Sequence, residues 1–267
     1  MDSKDLIKAG RLQDARKQLI DEVKASPGDL GRRTLLFQVM TFCGEWDKAA
    51  KQLDAIAAQD AKRETGVQVY KNLIHAEKDR EDVSRSKRRP PCLPKSPPYL
   101  ETHFAACTEL AAGKLAEAEE LFDQAESMRP AIEGTINGKL FSGFRDTDTV
   151  LSPFLEAIVH DQYVWVPFES IRELTLSTPS TLFDLIWLPS NITTWDGLAL
   201  NCYVPIVYPE SSSKEDDRIK LGRMTDWLPL GGHFTKAAGQ HVYQIGDIDM
   251  SILEIRDVRF TIHDSTA

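Results

Sequence analysis

Apolar residues in the first half of the chain recur at the three- and four-residue spacing of amphipathic helices. Leu35, Leu36, Val39 and Met40 show this spacing, which places their side chains on one helix face. On this basis, helices are predicted over residues 2–9, 12–25, 30–43, 46–58, 64–84, 99–112 and 115–128. A proline-rich connector over residues 89–98 separates the fifth helix from the sixth, because proline cannot continue a helix.

The helical pattern repeats along the chain. The segments AGRLQDARKQL, CGEWDKAAKQL and AGKLAEAEELF each contain a Gly followed five residues later by an Ala, and Gly10 and Gly44 lie 34 residues apart. Gly113 lies 69 residues beyond Gly44, and Pro27 and Pro130 close the first and last copies. The Gly allows a tight turn, the small Ala allows close helix packing, and the Pro ends the second helix. This pattern resembles the tetratricopeptide repeat.

Arrays of such repeats have a groove lined by the first helix of each unit. The resemblance assigns these groove positions to Thr34, Gln38, Gln68, Asn72, His75 and His103. Two interpretations stay open: the groove receives a peptide or partner helix, or its polar face meets only solvent or the other domain.

The second half of the chain has the pattern of a strand-rich structure. Strands are predicted near 139–141 and over 163–168, 171–176, 183–188, 198–207, 241–246 and 252–260, and 183–188 could also be a turn leading into a strand. A helix over Val150–His160, capped by Thr147 or Asp148, interrupts them, and loops are expected over 211–217, at Gly231-Gly232 and at Gly239.

The predicted fold is therefore multidomain with α and β structure. A tetratricopeptide-like α-helical region spans residues 1–130, and a β-rich α+β domain spans 131–267. Short strands without long intervening helices favour an antiparallel sheet, curled towards a roll or small barrel.

Charge and hydropathy exclude some kinds of partner. Residues 1–98 contain 20 Lys and Arg against 15 Asp and Glu, whereas residues 99–267 contain 12 against 26. The acidic second half argues against nucleic-acid binding. The longest apolar stretch, 198–208, is far shorter than the roughly 18 residues of a membrane span. The charged N-terminus has no signal-peptide pattern, so a cytoplasmic location is expected.

The ionisable residues show no catalytic or metal-binding pattern. The six histidines form no HxH or HExxH motif, so no metal or other cofactor is predicted. His241 could act with Asp247 or Asp249 as a base and its orienting group, but no Gly-x-Ser-x-Gly nucleophile turn accompanies them. A structural role for His241 is favoured, and a small hydrolase is the weakest alternative.

The most distinctive stretches lie in the second half: YVWVPFESI from 163, DLIWLP from 184, TDW from 225 and GQ from 239. Together and in this order they resemble the ImpE family, also called TagJ or SciE, an accessory protein of type VI secretion. Leu188 departs from the pattern, since the family often has Arg there. The motif residues are Trp165, Pro167, Phe168, Glu169, Asp184, Trp187, Pro189, Asp226, Trp227, Gly239 and Gln240.

Most of these motif residues are expected to be structural. The three tryptophans are typical core residues, although an exposed Trp would be a good interface anchor. Glu169, Asp184 and Asp226 could form a shared acidic recognition site. Turn and cap chemistry is the favoured role for them.

The resemblance implies a non-enzymatic cytoplasmic adaptor. Family members are thought to bind the N-terminal helix of the small sheath subunit, and some associate with the ClpV-type AAA+ ATPase that disassembles contracted sheath. A generic tetratricopeptide scaffold or cochaperone is the principal alternative.

Overall fold

The computed structural model describes residues 1–262, so the last five residues of the predicted second domain lie outside the described part. The chain begins with seven helices: α1 Ser3–Lys8, α2 Leu12–Ala25, α3 Leu30–Phe42, α4 Trp46–Gln59, α5 Glu64–Ser84, α6 Leu100–Ala111 and α7 Leu115–Ser127. These helices confirm the predicted ones to within one residue at each end.

The repeat residues have the conformations that the turns require. Gly10, Gly44 and Gly113 all have positive φ, between +67° and +75°, which only glycine adopts without strain. Ala15 and Ala49 are fully buried where paired helices meet. The tetratricopeptide-like pairing of helices is therefore confirmed for this region.

Thirteen strands and a short helix are described after Ser127. They are β1 Ile132–Ile136, β2 Lys139–Ser142, β3 Phe144–Asp146, β4 Phe154–Val159, β5 Gln162–Pro167, β6 Ile171–Leu176, β7 Trp187–Thr194, β8 Ala199–Pro205, α8 Asp217–Lys220, β9 Thr225–Gly231, β10 Phe234–Gly239, β11 Val242–Ile245, β12 Ile248–Ser251 and β13 Asp257–Ile262. Eight of the strands form an antiparallel sheet in the order β2-β1-β13-β6-β7-β8-β4-β5. A second sheet has the order β12-β11-β3, and β9 and β10 form a separate two-stranded ribbon.

The predicted helix over Val150–His160 is wrong. The chain instead forms strand β4, whose residues pair with β5 from Phe154↔Pro167 to Val159↔Gln162. Phe154 to Ile158 are all buried, so no side of this segment faces solvent. The spacing of apolar residues alone does not then distinguish a helix from a strand. Asp148 still caps a turn, because its carboxylate accepts hydrogen bonds from the N–H groups of Val150 and Leu151 at 2.9 and 3.2 Å.

Other differences concern short elements. The segments predicted as loops around Gly231 and Gly239 belong to the ribbon of β9 and β10. The short elements β1, β3, β12 and α8 were not predicted. The strand expected over 252–260 begins only at Asp257, after a 3-10 turn over Ile252–Glu254.

The helices pack directly on the large sheet. One hydrophobic cluster includes Leu19 and Leu53 of the helices together with Phe154, Trp165 and Trp187 of the strands. The connector also joins the sheet edge, because the Leu93 N–H donates to the Trp165 carbonyl and the Trp165 N–H donates to the Pro91 carbonyl, both at 2.9 Å. A second cluster lies between the large sheet and the β12-β11-β3 sheet. Within residues 1–262, no helix has both the length and the apolar character to cross a membrane.

Candidate functional site

Charged side chains are buried where α5 meets the sheets, and we call this group the buried charge network. Its members are Glu77, Arg80, Asp146, Glu156 and His241, each at most 4% exposed. Burying a charge is costly unless it is paired and hydrogen-bonded. The contacts within the group therefore decide what it can do.

Arg80 connects α5 to the sheet. Its Nε and Nη2 atoms donate to the two carboxylate oxygens of Glu156 at 2.8 and 2.7 Å, the bidentate geometry of a strong ion pair. Nη2 also donates to the Val207 carbonyl at 2.6 Å, and Nη1 donates to Glu77 at 3.2 Å. Glu77 also accepts the indole N–H of Trp187 at 2.8 Å. The guanidinium thereby links a helix to two parts of the β region.

His241 lies between two carboxylates. Its Nδ1 is 2.9 Å from Asp146 Oδ2, and its Nε2 is 2.9 Å from Glu156 Oε2, as an ion pair without good hydrogen-bond alignment. Burial by itself would lower the pKa of His241, but the two carboxylates outweigh burial and raise the pKa to about 9. The imidazole is therefore protonated at neutral pH and serves as a second buried cation.

Arg80 has the corresponding effect on Glu156. Burial would raise the pKa of this carboxyl, but Arg80 and then His241 lower it well below its usual range. Glu156 therefore stays ionised between its two cations.

Aromatic hydroxyls and an indole complete the network. The Tyr163 hydroxyl donates to Glu156, and the Trp165 indole N–H donates to the Tyr163 oxygen at 2.6 Å. The Tyr208 hydroxyl donates to Asp146 at 2.7 Å. The charged atoms are thus occupied by protein partners, and the arrangement holds α5 on the sheet.

The structure does not form the catalytic arrangement that was considered for His241. Asp247 in the β11–β12 turn and Asp249 in β12 are exposed, whereas the ring nitrogens of His241 face Asp146 and Glu156. In the part of the chain that is described, no group of three or more His, Cys, Asp or Glu side chains could hold a metal ion.

The predicted groove residues are dispersed. The Thr34 hydroxyl donates to the Leu30 carbonyl at 2.8 Å, and Gln38 is buried. His103 is also buried, with Nε2 2.8 Å from the Val150 carbonyl, and burial lowers its pKa to about 4. Neither Gln38 nor His103 is available on an open groove.

The other three predicted groove residues lie on α5. Gln68 and His75 are exposed, and the Gln68 amide donates to Asn72 at 2.8 Å. Their spacing of four and three residues places them on one helix face. We call these three residues the α5 stripe.

An aromatic segment of the β region covers part of the helix array. Phe183 stacks on Tyr70 with ring centroids 4.2 Å apart and lies 5.2 Å from the Phe37 ring. Trp187 approaches the Tyr70 and Trp46 rings at 6.3 and 6.5 Å. These aromatic residues of the β region therefore cover a helix surface that would be open to a ligand in a helix array without a β region.

Five of the eleven motif residues are buried: Trp165, Pro167, Phe168, Trp187 and Gly239. The expectation of a core position is confirmed for Trp165 and Trp187 but wrong for Trp227, which is 41% exposed. Pro189 and Gln240 are half-buried, in β7 and after β10.

The three motif carboxylates have separate neighbours. Asp184 caps a turn by accepting the backbone N–H groups of Ser180 and Thr181 at 2.7 and 2.8 Å. Glu169 lies 3.9 Å from Arg129, and Asp226 is exposed. These contacts agree with turn chemistry for Asp184 and give the three residues no common site.

Two clefts flank the ribbon of β9 and β10, and sequence patterns did not indicate either. The first, which we call the arginine cleft, encloses about 400 Å³ and is lined by Phe104, Trp165 and Leu151 with Arg88 and Arg89. Its cations are already engaged, because Arg88 pairs with Asp79 and Arg89 with Glu101, the latter at 2.7 Å.

The second, which we call the α7 cleft, encloses about 520 Å³ between α7 and the ribbon. It contains Tyr99, Phe122, Trp227 and Phe234. The exposed Trp227 and the acidic sequence of α7 are the signals from which a surface of this kind could have been suspected.

Comparisons with known proteins cover both halves of the chain. The family model described as ImpE protein matches residues 138–259. The type VI secretion system accessory component TagJ of Pseudomonas aeruginosa is 33% identical over 260 residues, which are 97% of this chain and 91% of that protein. A crystal structure of a Vibrio parahaemolyticus protein is similar in fold, with a TM-score of 0.86 and 23% identity over 99% of this chain and 98% of that one.

Proposed function

Because the chain belongs to the ImpE family of type VI secretion accessory components, we propose that it is a non-enzymatic adaptor of that system. In this proposal it binds the small sheath subunit through that subunit's N-terminal helix, and it also contacts the ClpV-type ATPase. Its place of action is the cytoplasm. The observation that carries the proposal is the 33% identity to TagJ over 97% of the chain, which includes the helices as well as the β region.

The structure supports a binding role through its rigidity. The buried charge network joins α5 to the sheet through Arg80 and Glu156, and the helices share a hydrophobic cluster with the strands. A preorganised surface loses little conformational entropy when a partner docks. The α5 stripe, formed by Gln68, Asn72 and His75, is one surface proposed to contact the partner.

The generic tetratricopeptide scaffold requires helices that work without the β region. Trp165 and Trp187 belong to the same hydrophobic cluster as Leu19 and Leu53. Deleting the β region would expose this apolar surface, which argues against a separable scaffold.

Direct binding tests the proposal. The purified full chain is titrated with the small sheath subunit, and with a synthetic peptide of that subunit's N-terminal helix. A Kd of about micromolar is expected for a helix in a groove, and a scrambled peptide of the same composition should not bind. The same titration with the ATPase tests the second contact.

The α5 stripe is tested with Gln68→Ala and His75→Ala together, against Lys139→Ala and Gln162→Ala as exposed control changes on the β region. If neither the sheath subunit nor its helix peptide binds the wild-type chain at micromolar concentrations, the adaptor proposal is wrong.

A further inference from the structure

Aromatic side chains form the inner surface of the α7 cleft. The Phe122 and Phe234 rings lie 5.3 Å apart, one on α7 and the other on β10. The Trp227 indole N–H donates to Thr147 Oγ1 at 3.0 Å, which orients the ring while 41% of the residue remains exposed. Oriented and partly exposed Trp side chains are frequent binding anchors.

The rim of the cleft is acidic. Helix α7 contains five carboxylates and no Lys or Arg. Among the described residues, neither Asp123 nor Asp249, both of which line the cleft, has an ion-pair partner. Of the two arginines in the lining, Arg129 pairs with Glu126 at 2.6 Å. Arg145 donates to the neutral Gln244 amide oxygen at 2.6 Å and keeps its positive charge. The two unpaired carboxylates, Asp123 and Asp249, outnumber the one unpaired arginine, so the net charge that a partner would meet is negative.

Two buried polar groups of the cleft lining are compensated within the protein. Arg129 Nε lies 3.9 Å from Glu169 Oε2, and burial and then the same carboxylate raise the pKa of the Tyr99 hydroxyl. Tyr99 is 1% exposed, and the Arg129 side chain is 6% exposed. The lining therefore offers a ligand its apolar surface and the charges of its rim.

We propose that the α7 cleft is a docking surface for a basic, amphipathic segment of the small sheath subunit. This surface is separate from the α5 stripe. The inference rests on the proposed adaptor function. Apolar side chains of the segment pack against Trp227 and Phe122, and Lys or Arg side chains on its flanks face Asp123 and Asp249. The volume of about 520 Å³ holds a few anchoring side chains, with the rest of the segment lying across the rim.

The arginine cleft does not meet the same requirements. Its lining is apolar, but Arg88 and Arg89 are neutralised by Asp79 and Glu101, and Lys236 is paired with Glu210 at 2.6 Å. It therefore presents less uncompensated charge to select a partner. The α7 cleft combines apolar anchors with a net negative charge.

Titration of the full chain with the purified small sheath subunit tests the inference, using variants of the cleft. Trp227→Ala removes the anchor and should weaken binding by about thirtyfold, the effect of losing a hot-spot residue. The double variant Asp123→Lys with Asp249→Lys should weaken it by about tenfold or more, and wild-type binding should weaken with added salt. The control is Asp161→Lys with Glu215→Lys, which changes the net charge equally at exposed carboxylates outside both the cleft and the α5 stripe.

The outcomes separate the two proposals. Loss of binding in both cleft variants, with the control variant binding like wild type, supports the docking surface. If the wild-type chain binds and both cleft variants bind equally well, the cleft inference is overturned while the adaptor function stands. Equal weakening by the control variant also overturns it, because the effect would then come from net charge. If the wild-type chain does not bind the subunit, the adaptor function fails and the cleft inference fails with it.

Discussion

Replacing His241 by Asn should change the pH dependence of stability in a defined direction. The folded pKa of His241 is about 9, against an ordinary value of 6.5. Because folding raises the pKa, the protonated imidazole stabilises the native state. This contribution is complete below pH 6.5, declines as the pH rises and is lost above pH 9.

The size of the effect follows from the same two values. The difference between the folded and the ordinary pKa corresponds to about 3 kcal/mol of stability. The residue is fully buried between Asp146 and Glu156, so solvent screening does not reduce this value as it would at the surface. His241→Asn removes the cation, so less positive charge remains to balance the two buried carboxylates.

Urea denaturation followed by tryptophan fluorescence measures the effect at several pH values, from about 6 to about 10. The free energy of unfolding should differ most between wild type and His241→Asn near pH 6, and the difference should shrink by about 3 kcal/mol by pH 10. Titrations that both proteins share, including those of the four cysteines, cancel in this comparison.

The exposed His75 provides the matched control. His75→Asn should change stability by less than about 0.5 kcal/mol at either end of the pH range. A difference between wild type and His241→Asn that is the same at both ends would refute the assignment of a protonated, ion-paired imidazole.

Three further predictions concern stability. Arg80→Met leaves two buried carboxylates without their cation and should cost about 3–5 kcal/mol in thermal or urea unfolding, whereas Lys71→Met, at an exposed pair, should cost less than about 1 kcal/mol. Gly239→Ala places a Cβ 1.9 Å from a backbone carbonyl oxygen and should lower the free energy of unfolding by more than about 3 kcal/mol or prevent folding. Its control is Gly113→Ala, which has a similar positive φ but open space and should cost about 1 kcal/mol. Equal losses of stability in the two variants would contradict the steric explanation. The buried His103 has its pKa lowered to about 4, so the wild type should lose stability as the pH falls from 6.5 to 4, and His103→Gln should lose less over that range in the same urea assay.

The helices could be predicted because their signals are local. Apolar periodicity and the glycines at 10, 44 and 113 define α1 to α7, and a helix satisfies its backbone hydrogen bonds within its own segment. Several strands were also predictable, since residues 163–167 are rich in β-branched and aromatic residues and residues 171–176 alternate loosely between apolar and polar positions. Strand β4 was not, because Phe154 to Ile158 are buried without alternation. The ribbon was hidden by the glycine and proline residues that accompany its strands.

The interaction surfaces were less accessible to sequence reasoning. The motif residues indicated the family, but five of the eleven are buried, and their spacing does not indicate a surface. The predicted groove combined exposed residues such as Gln68 with His103, which is buried. Burial depends on how the array packs against the β region, and no repeat pattern contains that information.

The sequence by itself determined the helix array, much of the antiparallel sheet and the family, because each rests on short-range periodicity or on motifs of adjacent residues. Only the tertiary structure decided the partners of the buried charges and the position of the clefts. Arg80 and Glu156 are 76 residues apart, and Asp146 and His241 are 95 apart. Ion pairs across such separations form only after the helices and strands have packed, since the unfolded chain leaves these groups in water. The same packing places Trp227 beside α7 and leaves it exposed at the cleft.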